Sequence, residues 1–205
     1  MTVAPGVEEG DGQDTRPGYG QGREALLAAA VRVVARGGLR KLTYRSVAAE
    51  AGVTHGLVVH HFGSRDALLE QALRWVVRRS IETSSLRPAS GRLEDFAATL
   101  PEFIGADPDL QAFQYELKLE ASRRPELQRH IDALYDAYGD AVREALAGFG
   151  VSRELAEIVF AALDGLVFRQ VTSGDPRLTE EGVEALRRLL AAHREQSPSQ
   201  VFGVH

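Results

Sequence analysis

The chain has 205 residues, 44% of them hydrophobic, a net charge of -5 and no cysteine. That is apolar material for one large domain or for a small and a medium one, and it excludes disulfides, thiolate metal sites and cysteine nucleophiles. The opening residues lack the basic and apolar regions of a signal peptide, and no stretch approaches a membrane-spanning apolar run, so a cytoplasmic protein with no membrane partner is expected.

The net charge hides an uneven distribution. Residues 1–15 hold four acids and neither Lys nor Arg; residues 16–79 hold eleven Lys/Arg against four Asp/Glu; residues 80–205 hold thirteen against twenty-one. A basic module, suited to nucleic acid, is therefore joined to an acidic one.

Residues 1–22 are rich in Gly, Asp, Glu and Gln, carry few large apolar side chains, and are predicted to be a disordered arm. From Arg23 a helical period sets in, with Ala25, Leu26, Ala29, Ala30, Val33 and Val34 at three- and four-residue spacing and Gly37-Gly38 as the stop. Thr43 caps a second, short helix that ends near Gly52, and Thr54 a third that runs to His61. Ser64, with Asp66 in the first turn, opens a fourth that runs from about Arg65 to Thr83, long enough to bridge two modules. Further helices are predicted at about 92–105, 108–123, 126–148, 152–173 and 179–195, separated by Asp107-Pro108, Arg124-Pro125, Gly148–Gly150 and Gly174–Pro176. Residues 196–205 read as a flexible tail, and no segment alternates with a strand's period. The expected fold is all-α, about nine helices, with a three-helix domain at 23–63 joined through the fourth helix to a bundle over 64–195.

The segment TYRSVAAEAGVTHGLVVHHF meets the physical needs of a helix-turn-helix. Ala48 is the small residue where the two helices cross, Gly52 tolerates a positive φ in the turn, and Val58 plugs the core with Val47 and Leu57. A plain helical hairpin buried in a core has the same Ala-Gly-Val spacing.

The runs REALLAAAVRVVARGG, LTYRSVAAEAGVTHG and HHFGSRDALLEQAL resemble, over residues 23–75, the DNA-binding domain of the TetR family of transcriptional repressors. The resemblance implies that Thr43, Tyr44 and Arg45 lie over a DNA backbone, their hydroxyls, guanidinium and free helix N–H groups facing phosphate. It implies that Thr54, His55, Gly56, Val59, His60 and His61 face the major groove, that Arg65 clamps a phosphate, and that Phe62 wedges between helices. Val59 departs from the family's usual Tyr and cannot hydrogen-bond; contact with a thymine methyl and burial in the core are equal alternatives. Spacings of five and one between His55, His60 and His61 suit no shared ion, and no metal or cofactor is expected.

Reading a double-stranded operator with this motif normally needs a homodimer. The family builds one from its last two long helices, which here carry Val159, Leu163, Leu166, Leu186, Leu189 and Leu190; burial inside the monomer is the alternative for these stripes. The same resemblance implies a small-molecule effector in the bundle. Trp75, Phe96, Phe103, Phe113, Leu117, Tyr138 and Phe160 are candidate walls, and Gln114, Glu120 and Arg169 candidate polar anchors, though aromatics at helical spacing also make ordinary core. Glu116 and Glu120 lie one turn apart, but the second half-site of a carboxylate-bridged metal bundle is missing and no phosphate loop or nucleophile motif occurs, so an enzyme is not expected. A ligand-independent DNA-binding protein is the alternative function.

Overall fold

In a computed structural model, residues 19–196 are described, and the regular structure among them is helical throughout. Of the arm expected over residues 1–22, residues 1–18 lie outside the described residues, as do residues 197–205 of the tail expected from 196. Helix α1, Tyr19–Gly37, begins inside the stretch read as arm, so the helix extends four residues further back than the apolar period. It buries Leu26, Leu27, Ala29, Ala30, Val31 and Val34, and stops where Gly38 turns to φ 77 and its N–H reaches the Val34 carbonyl at 2.8 Å.

A 3-10 turn at Leu39–Lys41 leads to α2, Tyr44–Ala51. Thr43 caps α2 with a reciprocal pair of bonds: its hydroxyl accepts from the Ser46 N–H at 3.1 Å, and its own N–H donates to the Ser46 hydroxyl at 3.0 Å. Gly52, at φ 67, ends α2, and α3 follows at His55–Phe62. Helix α4, Arg65–Thr83, opens with the Ser64 hydroxyl accepting from the Ala67 N–H at 3.0 Å.

The helix expected over 92–105 is instead a 3-10 turn at Leu93–Asp95, an extended Phe96, Ala97 at φ 55, and then α5 at Leu100–Ala106. The break places Leu93, Phe96 and Ala97 in the core together, and Ala97 N–H bonds the Ser85 carbonyl at 2.9 Å instead of continuing a helix. Helix α6, Pro108–Ala121, is capped by Asp107; α7, Gln128–Ala147, starts only after a 3-10 turn at Pro125–Leu127. Helices α8, Arg153–Ser173, and α9, Arg177–Gln196, complete the order, joined through Gly174 at φ 72.

Helix α1 packs on α2, α4 and also α6; α4 packs on α7, α7 on α8, and α8 on α9. The two modules therefore share one continuous buried cluster that runs from Leu26 through Leu68 and Phe113 to Leu163 and Leu190. No helix among the described residues is long and apolar enough to cross a membrane.

Candidate nucleic-acid interface and interior cavity

On α3, Val58 and Phe62 lie four residues apart on one face and are buried, beside Val47 and Ala48 of α2. One step around the helix, Leu57 is 39% exposed, so it does not join the plug expected of it, which Val58 and Val47 make without it. Thr54, His55, Gly56, Val59 and His60 are exposed and His61 half-buried, which gathers the six expected reading positions on the open side of the helix. Val59, at 37% exposure, takes no part in the core.

Thr43 and Arg45 are exposed at the start of α2, and Tyr44 is half-buried with its ring edge-on to His55, centroids 5.8 Å apart. The Tyr44 hydroxyl is buried without a hydrogen-bond partner, so packing against His55 accounts for the ring and leaves the phenol turned inward. Arg65, expected over a phosphate, is exposed and also bonds within the chain. Its Nε donates to the Leu42 carbonyl and a terminal nitrogen to the Leu39 carbonyl, both at 2.7 Å, so two of its three nitrogens tie α4 to the link before α2. That fixes it as a strut of the domain before any phosphate is considered.

Between the ends of α4 to α8 lies a cavity of about 60 Å³. Of the ten residues expected to line it, Phe103, Gln114, Tyr138 and Phe160 do so. Phe96, Phe113 and Leu117 are at most 1% exposed and belong to the solid core. Trp75 packs under the Arg79 guanidinium, Glu120 pairs with Arg123 and Arg124 at 2.9 and 3.0 Å, and Arg169 is exposed on the outer side of α8; none of the three reaches the cavity.

Polar groups that sequence reasoning passed over do reach it: Ser80 and Ser84 of α4, Gln111 and Lys118 of α6, and Asp164 of α8. The signal on α6 was present in the spacing, since Gln111, Gln114, Tyr115 and Lys118 recur at one helical face. The Tyr138 hydroxyl donates to Gln114 Oε1 at 2.9 Å, and Gln114 Nε2 donates to Gln111 Oε1 at 3.2 Å. The Ser80 hydroxyl lies beside the Tyr138 phenol without a well-formed hydrogen bond. Lys118 Nζ meets Asp164 Oδ1 at 2.6 Å and sits over the Tyr115 and Tyr135 rings at 4.7 and 5.0 Å. The Tyr115 hydroxyl donates to the Asp164 backbone carbonyl at 3.1 Å and lies 3.4 Å from its carboxylate. Burial pushes the Tyr115 and Tyr138 phenols well above their ordinary values, with the Asp164 charge adding to the effect, so both are neutral donors near pH 7.

The α8–α9 pair divides the residues expected at a dimer face. Val159, Leu163 and Leu190 are 2–3% exposed and pack inside the single chain, because their stripes meet the bundle core. Leu166 and Leu186 are half-buried and Leu189 is 68% exposed, beside Ala162, Gly165, Gly182 and Ala185 in an outward groove. Gly182 lets Leu166 lie close: a Cβ on it would stand 2.5 Å from a Leu166 methyl, and that side chain would have to turn away. Exposed Ile158 and Phe168 extend the apolar character of the outer side of α8.

Residues 26–72 match the family model described as bacterial regulatory proteins, tetR family, and residues 91–192 match that for the tetracyclin repressor-like C-terminal domain. The HTH-type transcriptional regulator BetI of Agrobacterium fabrum is 30% identical over 167 residues, covering 75% of this chain and 79% of its own length. BetI of Paraburkholderia xenovorans is 29% identical over 165 residues, covering 75% and 84%. A TetR family member from Streptomyces coelicolor A3 superposes with a TM-score of 0.69 at 32% identity, over 82% of this chain and 98% of that one. The multidrug binding protein EbrR, in complex with imidazole, superposes at 0.62 with 31% identity over 82% of this chain and 93% of its own, and has also been solved with proflavin, malachite green and ethidium. With both halves matched in order and a relative of 30% identity spanned over most of its length, the chain belongs to the TetR family of transcriptional regulators.

Proposed function

We propose that this regulator is a dimeric repressor that holds a two-fold operator through the open faces of α2 and α3 and releases it when a small molecule occupies the cavity. The observation that carries this reading is the double engagement of α4. Ser80 and Ser84 near its end line the cavity, while Arg65 at its start is bonded to the carbonyls of Leu39 and Leu42, which lead into α2. A displacement of α4 by a ligand is therefore delivered to the link before α2. Helix α6 offers a second route, since the Arg36 guanidinium of α1 meets Asp109 at 2.8 Å and the Leu39 N–H donates to Glu116 at 3.3 Å.

The cavity is far smaller than the roughly 300–1,000 Å³ of ordinary ligand pockets, so an occupant has to open it, which is the differential binding that a two-state switch requires. EbrR, similar over most of its length, binds several dyes, and this supports a small-molecule role for the bundle. The outward α8–α9 groove around Leu189 supplies an apolar face for the second copy. Two recognition helices have to stand about 34–36 Å apart to read successive major grooves. A selection from random duplexes tests the DNA half: a palindromic consensus is expected, and equal binding of all duplexes at fixed salt defeats it. Release of that consensus by at least one member of a small-molecule panel tests the other half.

A further inference from the structure

Lysine occurs only twice in this arginine-rich chain, at positions 41 and 118. Lys41 is exposed, whereas the Lys118 side chain is 14% exposed and enclosed by three groups that recognise a cation: the Asp164 carboxylate and the faces of Tyr115 and Tyr135. Among the described residues, Lys118 and Asp164 are the only charged ones lining the cavity. The tyrosines beside them stay neutral, so the carboxylate is the single source of negative charge there.

From this arrangement we infer that the Lys118 ammonium occupies the cation subsite of its own cavity, and that the effector is a compact organic cation with an aromatic or quaternary group, which takes its place. The inference rests on reading the cavity as the effector site. The two partners of the ion pair differ in how easily they leave. Asp164 has a short stem fixed to α8, with its backbone and carboxylate both facing the Tyr115 hydroxyl. Lys118 is the less exposed partner, 14% against 33%, but its flexible four-carbon stem runs beside Tyr135, itself 39% exposed, and the length of that stem lets its head swing into water. A cationic ligand then restores the pairing of Asp164, gains the ring faces and gains the volume that the ammonium leaves. An anion has to separate Lys118 from Asp164 and then lie beside the stranded carboxylate. The cavity, at about 60 Å³, is small because the ammonium itself fills part of the site.

Benzyltrimethylammonium, with phenylacetate as its anionic counterpart, tests the inference by calorimetry on the full chain without DNA. Lys118→Met is expected to tighten benzyltrimethylammonium about tenfold and Asp164→Asn to weaken it about tenfold, the range of a desolvated cation–π or charge contact. Tighter binding of phenylacetate than of the cation to the unsubstituted protein overturns the inference, as does weaker binding of the cation by folded Lys118→Met. Amine acetylation read by mass spectrometry needs no variant, because Lys41 is an internal reference. Saturating benzyltrimethylammonium is expected to raise acetylation of Lys118 relative to Lys41, whereas protection of Lys118 overturns displacement. Displacement of Lys118 with unchanged operator affinity upholds the cation subsite and removes the release mechanism proposed above.

Discussion

Arg65 Nε donates to the carbonyl of Leu42 at 2.7 Å, across 23 residues of sequence, and its second bond, to Leu39 at 2.7 Å, brackets the 3-10 turn before α2. A fork of N–H donors holding two carbonyls is geometry that a lysine ammonium cannot reproduce. Arg65→Lys is therefore expected to lose about 1–2 kcal/mol of stability, the scale of charged hydrogen bonds discounted for exposure, with Arg65→Ala at least as damaging. Chemical denaturation of the chain in the absence of DNA measures this. Unchanged stability in both variants would return Arg65 to the role of a simple phosphate contact.

Gly56 separates reading from folding. It is the second residue of α3, its backbone needs no positive φ, and a Cβ added there meets nothing within 4 Å. Gly56→Ala is expected to stabilise the helix by up to about 1 kcal/mol, since alanine surrenders less backbone entropy. The same methyl stands on the exposed face of α3 and holds the backbone away from a groove, so operator affinity is expected to fall about tenfold or more. A thermal melt and a titration of the selected operator give the two readings; loss of stability together with affinity would remove the separation.

What the sequence conveyed directly was whatever short-range chemistry decides. Thr43 and Ser64 announce their helices because a capping hydroxyl acts within three residues, and Gly52 and Gly174 end theirs because only the local φ matters. Where tertiary burial competes, the local pattern misleads. Phe96 and Ala97 abandon a helix to enter the core, and a rotation of one residue decides that Val58 faces inward and Leu57 outward. Lys118 and Asp164 stand 46 residues apart, and nothing in either one's neighbourhood signals the other. On α8, apolar residues occur on more than one face, so periodicity alone cannot tell that Leu163 faces the core while Ile158 faces out.

Asp66 makes the junction of α4 and α7 sensitive to acid. Its carboxylate, on the first turn of α4, pairs with Arg129 and lies 3.3 Å from Nε2 of His130, a side chain that is 3% exposed. Burial pushes the Asp66 carboxyl up, but the hydrogen bonds from His130 and Arg129 and the Arg129 charge outweigh it and hold it below its ordinary value. A depressed carboxylate contributes stability that is present above its unfolded value, about 4, and is lost as pH falls through the folded one. Asp66→Asn is therefore expected to be less stable than the parent at pH 7, with the gap closing below about pH 4. Melting temperatures of the two proteins from pH 3 to 7 test this, and a gap that stays constant over the range contradicts it.

Leu163 and Leu189 sit on adjacent helices, and their apolar stripes predict one dimer face for both, yet they are 3% and 68% exposed. Leu163→Ala removes buried methyl groups at the cavity wall and is expected to cost about 2–5 kcal/mol of stability while leaving the outer groove unaltered. Leu189→Glu replaces the most exposed apolar side chain of a groove walled by Ala162, Gly165, Leu166, Gly182 and Arg169 with a charge that two copies would have to strip of water. Sedimentation is therefore expected to show a monomer for Leu189→Glu, folded by circular dichroism, and a dimer for Leu163→Ala where the fold survives. Since one short recognition helix reads only a few base pairs, the monomeric variant is also expected to lose the operator while keeping the cavity's ligand affinity. A dimer persisting in Leu189→Glu would move the interface off the α8–α9 groove altogether.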